Sequence, residues 1–176
     1  MIILIGASAS GKTEIAKLLY QKSYKKCITT TTRPIRVNEV DGVDYHFMTK
    51  KDFNALLLQN AFLEVTKYQD NLYGLQRKDI IKDGVVILDP AGANNVIRSI
   101  KDVFVVFIKS SKKDRKKRML NRGDHITNII SRLKSDDKVF KKRHILKVDL
   151  LIKNKNQPLI ELADMIDKAY IKHQAR

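Results

Sequence analysis

The stretch Gly6-Ala7-Ser8-Ala9-Ser10-Gly11-Lys12-Thr13 does more than any other to limit what this chain can fold into. It follows the apolar run Ile2-Ile3-Leu4-Ile5 and opens a helical pattern at Lys12, the strand-to-helix setting that a G-x-x-x-x-G-K-T phosphate loop requires. Polyphosphate must be held by donors that approach it closely. Gly6 and Gly11 let the backbone wrap inward so that successive N–H groups point at the oxygens. The following helix N-terminus adds partial positive charge. Lys12 is placed to bridge the β- and γ-phosphates and the Thr13 hydroxyl to ligate a Mg²⁺ that carries them, so a nucleoside triphosphate is the expected ligand of residues 6–13.

The rest of the pattern agrees with such a loop. Short apolar runs recur at 2–5, 27–30, 85–88, 103–108 and 150–152, separated by helical periodicity at 12–22, 93–100, 112–120, 126–146 and 158–170. Strands that alternate with helices in this way predict an α/β fold with a parallel sheet covered by helices. The stretch 31–82 is too long for a plain crossover and carries its own pattern, so it reads as an inserted subdomain. Within it, 43–48 alternates like a strand, 50–59 is helical, and 62–68 with 72–75 flank Gln69-Asp70-Asn71 as a hairpin. Arg122-Gly123-Asp124 interrupts two helical patterns and marks a second movable segment at 121–127.

A chain of 176 residues suits one domain with insertions. Its net charge of +16 favours polyanionic partners, but the excess is largely lysine on helix surfaces, without stacking aromatics or a nucleic-acid reading motif. No apolar run approaches the ~20 residues that span a bilayer. Met1 leads directly into a strand, which leaves no room for a leader. The single Cys27 suits a reducing compartment, so a cytoplasmic protein is expected. His46, His125, His144 and His173 show no metal spacing, and no oligomeric state is legible.

Further motifs follow the loop in order: Thr30-Thr31-Thr32-Arg33-Pro34-Ile35-Arg36, Glu39 to Phe47, Phe62-Leu63-Glu64, Asn71-Leu72-Tyr73-Gly74, Leu88-Asp89, Lys117-Arg118, Arg122-Gly123, Arg132-Leu133 and Leu151 to Asn154. This series resembles the guanylate kinase family over nearly the whole chain. The resemblance implies a three-layer phosphate-loop core with a parallel sheet (1–30, 83–120 and 148–176), a mixed α/β acceptor-binding subdomain (31–82) and a small arginine-bearing lid (121–147). It implies phosphoryl transfer from MgATP to GMP or dGMP, which depends on positioning two anions and neutralising charge. Lys12, Arg33, Arg122, Arg132 and Asp89 would serve catalysis, with Asp89 near Mg²⁺ and phosphate. Asn154 would join residues 6–13 on the donor side. Arg33, Arg36, Tyr45 and Tyr73 would hold the acceptor phosphate, while Thr30 and Glu64 would face the base. Glu64 suits guanine, whose N1–H and exocyclic amine offer two donors to one carboxylate.

The chain departs from the family pattern at two positions assigned to the base end. Ala91 stands where a second aspartate is usual, and Leu75 where Ser or Thr follows the Tyr-Gly pair. The phosphate-side residues are all present. A related kinase with another phosphorylated acceptor, either a different nucleotide or a ribose bisphosphate, is therefore the rival reading. A non-catalytic guanylate-kinase-like module that binds protein is a third, although such modules commonly have degraded phosphate loops.

Overall fold

The computed structural model describes residues 1–68 and 70–175; Gln69, expected in the hairpin turn, lies outside the described residues. Strand β1 (Ile2–Ile5) is the centre of a five-stranded parallel sheet in the order β2-β7-β1-β8-β9, with β2 (Lys25–Lys26), β7 (Gly84–Ile87), β8 (Phe104–Lys109) and β9 (Leu150–Lys153). Every residue of β1 is buried, and its alternation divides the core. Ile2 and Leu4 pack with Ile15, Leu19, Leu162 and Ile166 of helices α1 (Lys12–Gln21) and α6 (Leu159–Gln174). Ile3 and Ile5 pack on the other face with Ala93 and Val96 of α3 (Pro90–Ser99). Both sheet faces are thus covered, giving the three-layer α/β core expected of continuous apolar strands.

A second sheet, ordered β4-β3-β6-β5, is built from β3 (Thr30–Thr31), β4 (His46–Phe47), β5 (Phe62–Tyr68) and β6 (Asn71–Gln76). Helix α2 (Lys50–Leu58) packs on it, with Phe53 stacked on Phe62 at 4.4 Å. The expected strand at 27–30 is not one strand. Only Thr30 belongs to a strand, because the chain leaves the core sheet at β2 and enters the second sheet at β3, with 27–29 crossing between them. The expected strand at 43–48 shrinks to His46–Phe47, since Gly42 donates to the Tyr45 carbonyl and Asp44 to that of Val40, curling the preceding residues into turns.

Helix boundaries also differ: α6 runs on to Gln174 rather than ending at 170, and two other shifts have a local cause. Helix α3 begins at Pro90 rather than 93: Asp89 caps it by accepting from Gly92 N at 2.9 Å, and Pro90 fits the first helical position, where no N–H is needed. Helix α5 (Ile126–Val139) stops well short of 146, where Lys142–His144 form a single 3-10 turn. Helix α4 (Lys112–Asn121) is capped by Ser111 and packs on α5 through Met119, Ile129 and Leu133, with Ala9 of the phosphate loop against this cluster. The segment between α4 and α5 therefore stands directly over the loop.

Candidate active site

The phosphate loop is shaped by its glycines and by one asparagine. Gly11 has φ +102°, and a Cβ there would lie 2.8 Å from Asn154 Nδ2. Asn154 is buried and donates through Nδ2 to the Ser10 carbonyl at 2.9 Å, while its Oδ1 accepts from Arg118 Nη2. Arg118 also donates to the Ala9 carbonyl at 2.9 Å. Arg118 is thus committed to holding the loop, unlike the two arginines that follow it. Residues 9–14 line a cleft of about 410 Å³ with Arg118, Arg122 and Asn154. Thr13 is exposed on this cleft in the first turn of α1. Lys12 reaches back to the Ala7 carbonyl at 2.9 Å, and burial lowers its ammonium to about 8 against the opposing pull of Asp136.

Around the corner lies a second cavity, of about 150 Å³, where the two sheets meet. Gly6, Ser8 and Lys12 form one wall; Tyr45, Glu64, Thr66, Tyr68 and Tyr73 form the other, with Thr29, Asp89 and Phe140 completing the lining. Ligands of open α/β sheets gather at this end of the strands. The Tyr45 and Tyr73 rings meet edge-on at 6.3 Å, and neither hydroxyl has a hydrogen-bond partner among the described residues. Glu64 is 4% exposed and its Oε2 is unpartnered. Burial, and then the charge of Asp89, push its acid up to about 8. The irregular register between Phe62 and Glu64 sits immediately before it, the kind of bulge that re-aims a side chain. Gly92 makes room for the carboxylate: a Cβ there would lie 2.6 Å from Glu64 Oε2.

Not every expected base-end residue faces this cavity. Thr30 is fully buried and its hydroxyl accepts from Gln76 Nε2 at 2.7 Å, so its neighbour Thr29 takes the lining position. Thr29 ends the segment that crosses from the core, just before β3 begins, and it is there that the chain meets the cavity. Leu75 is fully buried in the core with Met1 and Ile3, and only its backbone N–H touches the Glu64 carboxylate. Ala91 is exposed. Asn94 and Asn95, the nearest amides, are used elsewhere: Asn94 clamps His144 O and Leu146 N, and Asn95 Oδ1 accepts from Arg98. The sequence offered no signal for Thr66, Tyr68 or Phe140, which their strand and loop positions turn into the cavity.

Four arginines converge on the cleft. Arg33 is fixed by paired bonds to Glu39 at 2.8 and 3.0 Å and lies 5.5 Å over the Tyr45 ring. The exposed Arg36 guanidinium has no hydrogen-bond partner among the described residues. Desolvation, then repulsion by Arg33, Arg132 and Arg122, holds it below its ordinary value. Arg122 and Arg132 both donate to Asp124, which holds these two guanidinium groups side by side. Four guanidinium groups against the two carboxylates of Glu39 and Asp124 leave an excess of positive charge, which favours an anion here.

The guanylate kinase family model matches residues 1–169 of this chain. The chain belongs to the guanylate kinase family. It is 32% identical over 166 residues to the guanylate kinase of Aster yellows witches'-broom phytoplasma (strain AYWB), covering 88% of this chain and 78% of that relative. It is 32% identical over 154 residues to a guanylate kinase of Thermus thermophilus, covering 82% of this chain and 70% of that relative. In fold it is similar to the crystal structure of guanylate kinase from Anaplasma phagocytophilum, with TM-score 0.71, 21% identity and coverage of 100% of this chain and 87% of that one.

Proposed function

We propose that this guanylate kinase family member transfers the γ-phosphoryl group of ATP to GMP or dGMP. One observation carries the reading: a single cavity is walled on one side by Gly6, Ser8 and Lys12 and on the other by Tyr45, Tyr73 and a buried glutamate with an unpaired oxygen. The loop and Lys12 hold the donor, with Asn154 shaping the loop. Arg33, preset by Glu39, joins Arg36 and the two tyrosine hydroxyls on the acceptor phosphate, and bidentate guanidinium donors suit that role. Glu64 reads the guanine edge, with the Thr29 hydroxyl beside it. Arg122 and Arg132 come from the lid to neutralise charge on the moving phosphoryl group, where fixed donors are most effective.

The exposed Thr13 hydroxyl, which has no partner among the described residues, fits a Mg²⁺ ligand at the donor phosphates, and Asp89 lines the neighbouring cavity that shares Lys12 with the Thr13 cleft. When bound, Mg²⁺ neutralises charge on those phosphates. In this reading 31–82 is the acceptor subdomain, 121–147 the lid, and the remainder the core. No helix among the described residues is long and apolar enough to cross a membrane, and the buried free thiol of Cys27 suits the cytoplasm.

Incubating the purified chain with ATP, Mg²⁺ and a panel of acceptors tests the proposal. GMP or dGMP is expected to be phosphorylated fastest, and Lys12→Ala to lower turnover by roughly a hundredfold or more. Preferential turnover of a base-free sugar phosphate would establish the rival acceptor, which the absence of polar side chains at Leu75 and Ala91 favours. Lys12→Ala activity equal to wild type would refute the donor assignment.

A further inference from the structure

Helix α5 turns Ile129, Leu133 and Asp136 into the protein, so a carboxylate ends an otherwise apolar face. The Asp136 side chain is 0% exposed. Its Oδ2 accepts from Ser8 N at 2.8 Å and from Arg115 Nη1 at 3.0 Å, and its Oδ1 accepts from the Tyr68 hydroxyl at 2.6 Å. The three partners come from the phosphate loop, α4 and β5. Burying an acid is strongly unfavourable unless it is paired and hydrogen-bonded, and an apolar residue would continue this helix face at no such cost. What the acid adds is connection. Tyr68 lines the acceptor cavity on the same strand as Glu64 and Thr66, and Ser8 lines it from the donor loop.

We propose that Asp136 is a positioning residue that couples the donor loop to the acceptor cleft. The proposal rests on the donor and acceptor assignments above. Phosphates that order the loop fix the Ser8 N–H, the Ser8 N–H fixes Asp136, and Asp136 fixes the Tyr68 end of β5, which carries Glu64. Binding at one half of the site is thereby felt at the other, and the coupling acts equally in both directions.

The test is the dissociation constant of GMP with and without a non-hydrolysable ATP analogue and Mg²⁺. In wild type the analogue is expected to tighten GMP by about tenfold, within the ordinary range of coupling between sites. Tyr68→Phe removes the hydroxyl, and with it a 3.5 Å contact to Ser8 Oγ, and leaves the carboxylate on Ser8 N and Arg115. It is expected to reduce that factor to about twofold or less while the analogue binds as in wild type. Asp136→Asn should lose coupling similarly, and the double variant should lose no more than either single one. Should Asp136→Asn not fold, Tyr68→Phe decides together with Ser8→Ala, which removes only the Oγ contact to Tyr68 and is expected to keep the full factor; loss of coupling in Ser8→Ala overturns the route through Asp136. Full coupling in Tyr68→Phe, or none in wild type, overturns the proposal. A wild-type protein that binds neither nucleotide overturns instead the functional reading beneath it.

Discussion

The sharpest prediction concerns Glu64 and the proton it carries. Its acid stands at about 8 in the free protein because it is buried beside Asp89, so at pH 7 roughly one-tenth is ionised. Guanine presents two donors, which only the ionised form can accept. GMP binding must therefore expel about 0.9 proton at pH 7, and affinity should rise about eightfold from pH 7 to pH 8.5 as the ionised fraction grows to roughly three-quarters. Glu64→Gln replaces one acceptor oxygen by an NH₂ facing a guanine donor and removes the charge from the other. The combined loss is about 2–4 kcal/mol against the ionised carboxylate. At pH 7 the wild type spends about 1.4 kcal/mol ionising, so the net loss is about 0.6–2.6 kcal/mol, or roughly three- to eightyfold in Kd, and it widens about eightfold by pH 8.5. Calorimetry in two buffers of different ionisation enthalpy reads proton release and affinity together. A wild-type affinity flat over this range, with no proton released, would refute the assignment of Glu64 to the base.

The same group links acceptor recognition to stability. Its folded acid is raised above its unfolded value of about 4.5, so its contribution to stability is complete below that pH and is lost as pH rises through about 8. The free wild type should therefore lose more melting temperature between pH 5 and pH 8 than Glu64→Gln does, and parallel losses would count against it. Gly92→Ala puts a methyl group 2.6 Å from Glu64 Oε2 in a helix that otherwise welcomes alanine. It should raise the KM for GMP several-fold while leaving that for ATP within about twofold; an unchanged GMP KM would show that the carboxylate is not confined there. Thr29→Ala should weaken GMP by about 0.5–1.5 kcal/mol, whereas Thr30→Val should act on melting temperature through the lost Gln76 bond. The reverse pattern would return the base contact to Thr30.

What could be read in the chain beforehand divides along physical lines. The core strands were legible because they are buried on both faces and appear as continuous apolar runs, and the phosphate loop because backbone geometry demands glycine at fixed spacing. Elements defined by tertiary geometry were not. Residues 27–30 look like one strand, but the chain changes sheets between Lys26 and Thr30, which no local pattern records. Thr29 and Thr30 are chemically identical, so only the point at which the chain enters β3 separates the residue on the cavity from the buried one. Asp136 was invisible for a related reason. It lies in the charged run Lys134-Ser135-Asp136-Asp137-Lys138, which reads as a solvated face, and only the docking of α5 shows that one of these two acids is buried while its neighbour Asp137 stays largely outside.

The two departures from the family pattern also weigh differently once the fold is seen. From sequence, Leu75 and Ala91 look like two lost contacts to the base. In the structure Leu75 sends its side chain into the core, so a hydroxyl there would occupy an apolar setting next to Met1 and Ile3. Its contribution to the site is the backbone N–H on Glu64, which any residue but proline supplies. That donor stabilises the carboxylate, the form that guanine requires, and so works against the burial that raises the acid. Ala91, the exposed residue in the otherwise buried first turn of α3, offers no polar side-chain group. In the proposed reading, base recognition therefore rests on Glu64, with Thr29 and Thr66 lining the same cavity. An acceptor such as IMP, which lacks the exocyclic amine, should lose about 1.5–3 kcal/mol relative to GMP, as expected when one charge-assisted bond to a buried carboxylate disappears. A protein that turned over IMP and GMP equally would show that Glu64 does not read that edge.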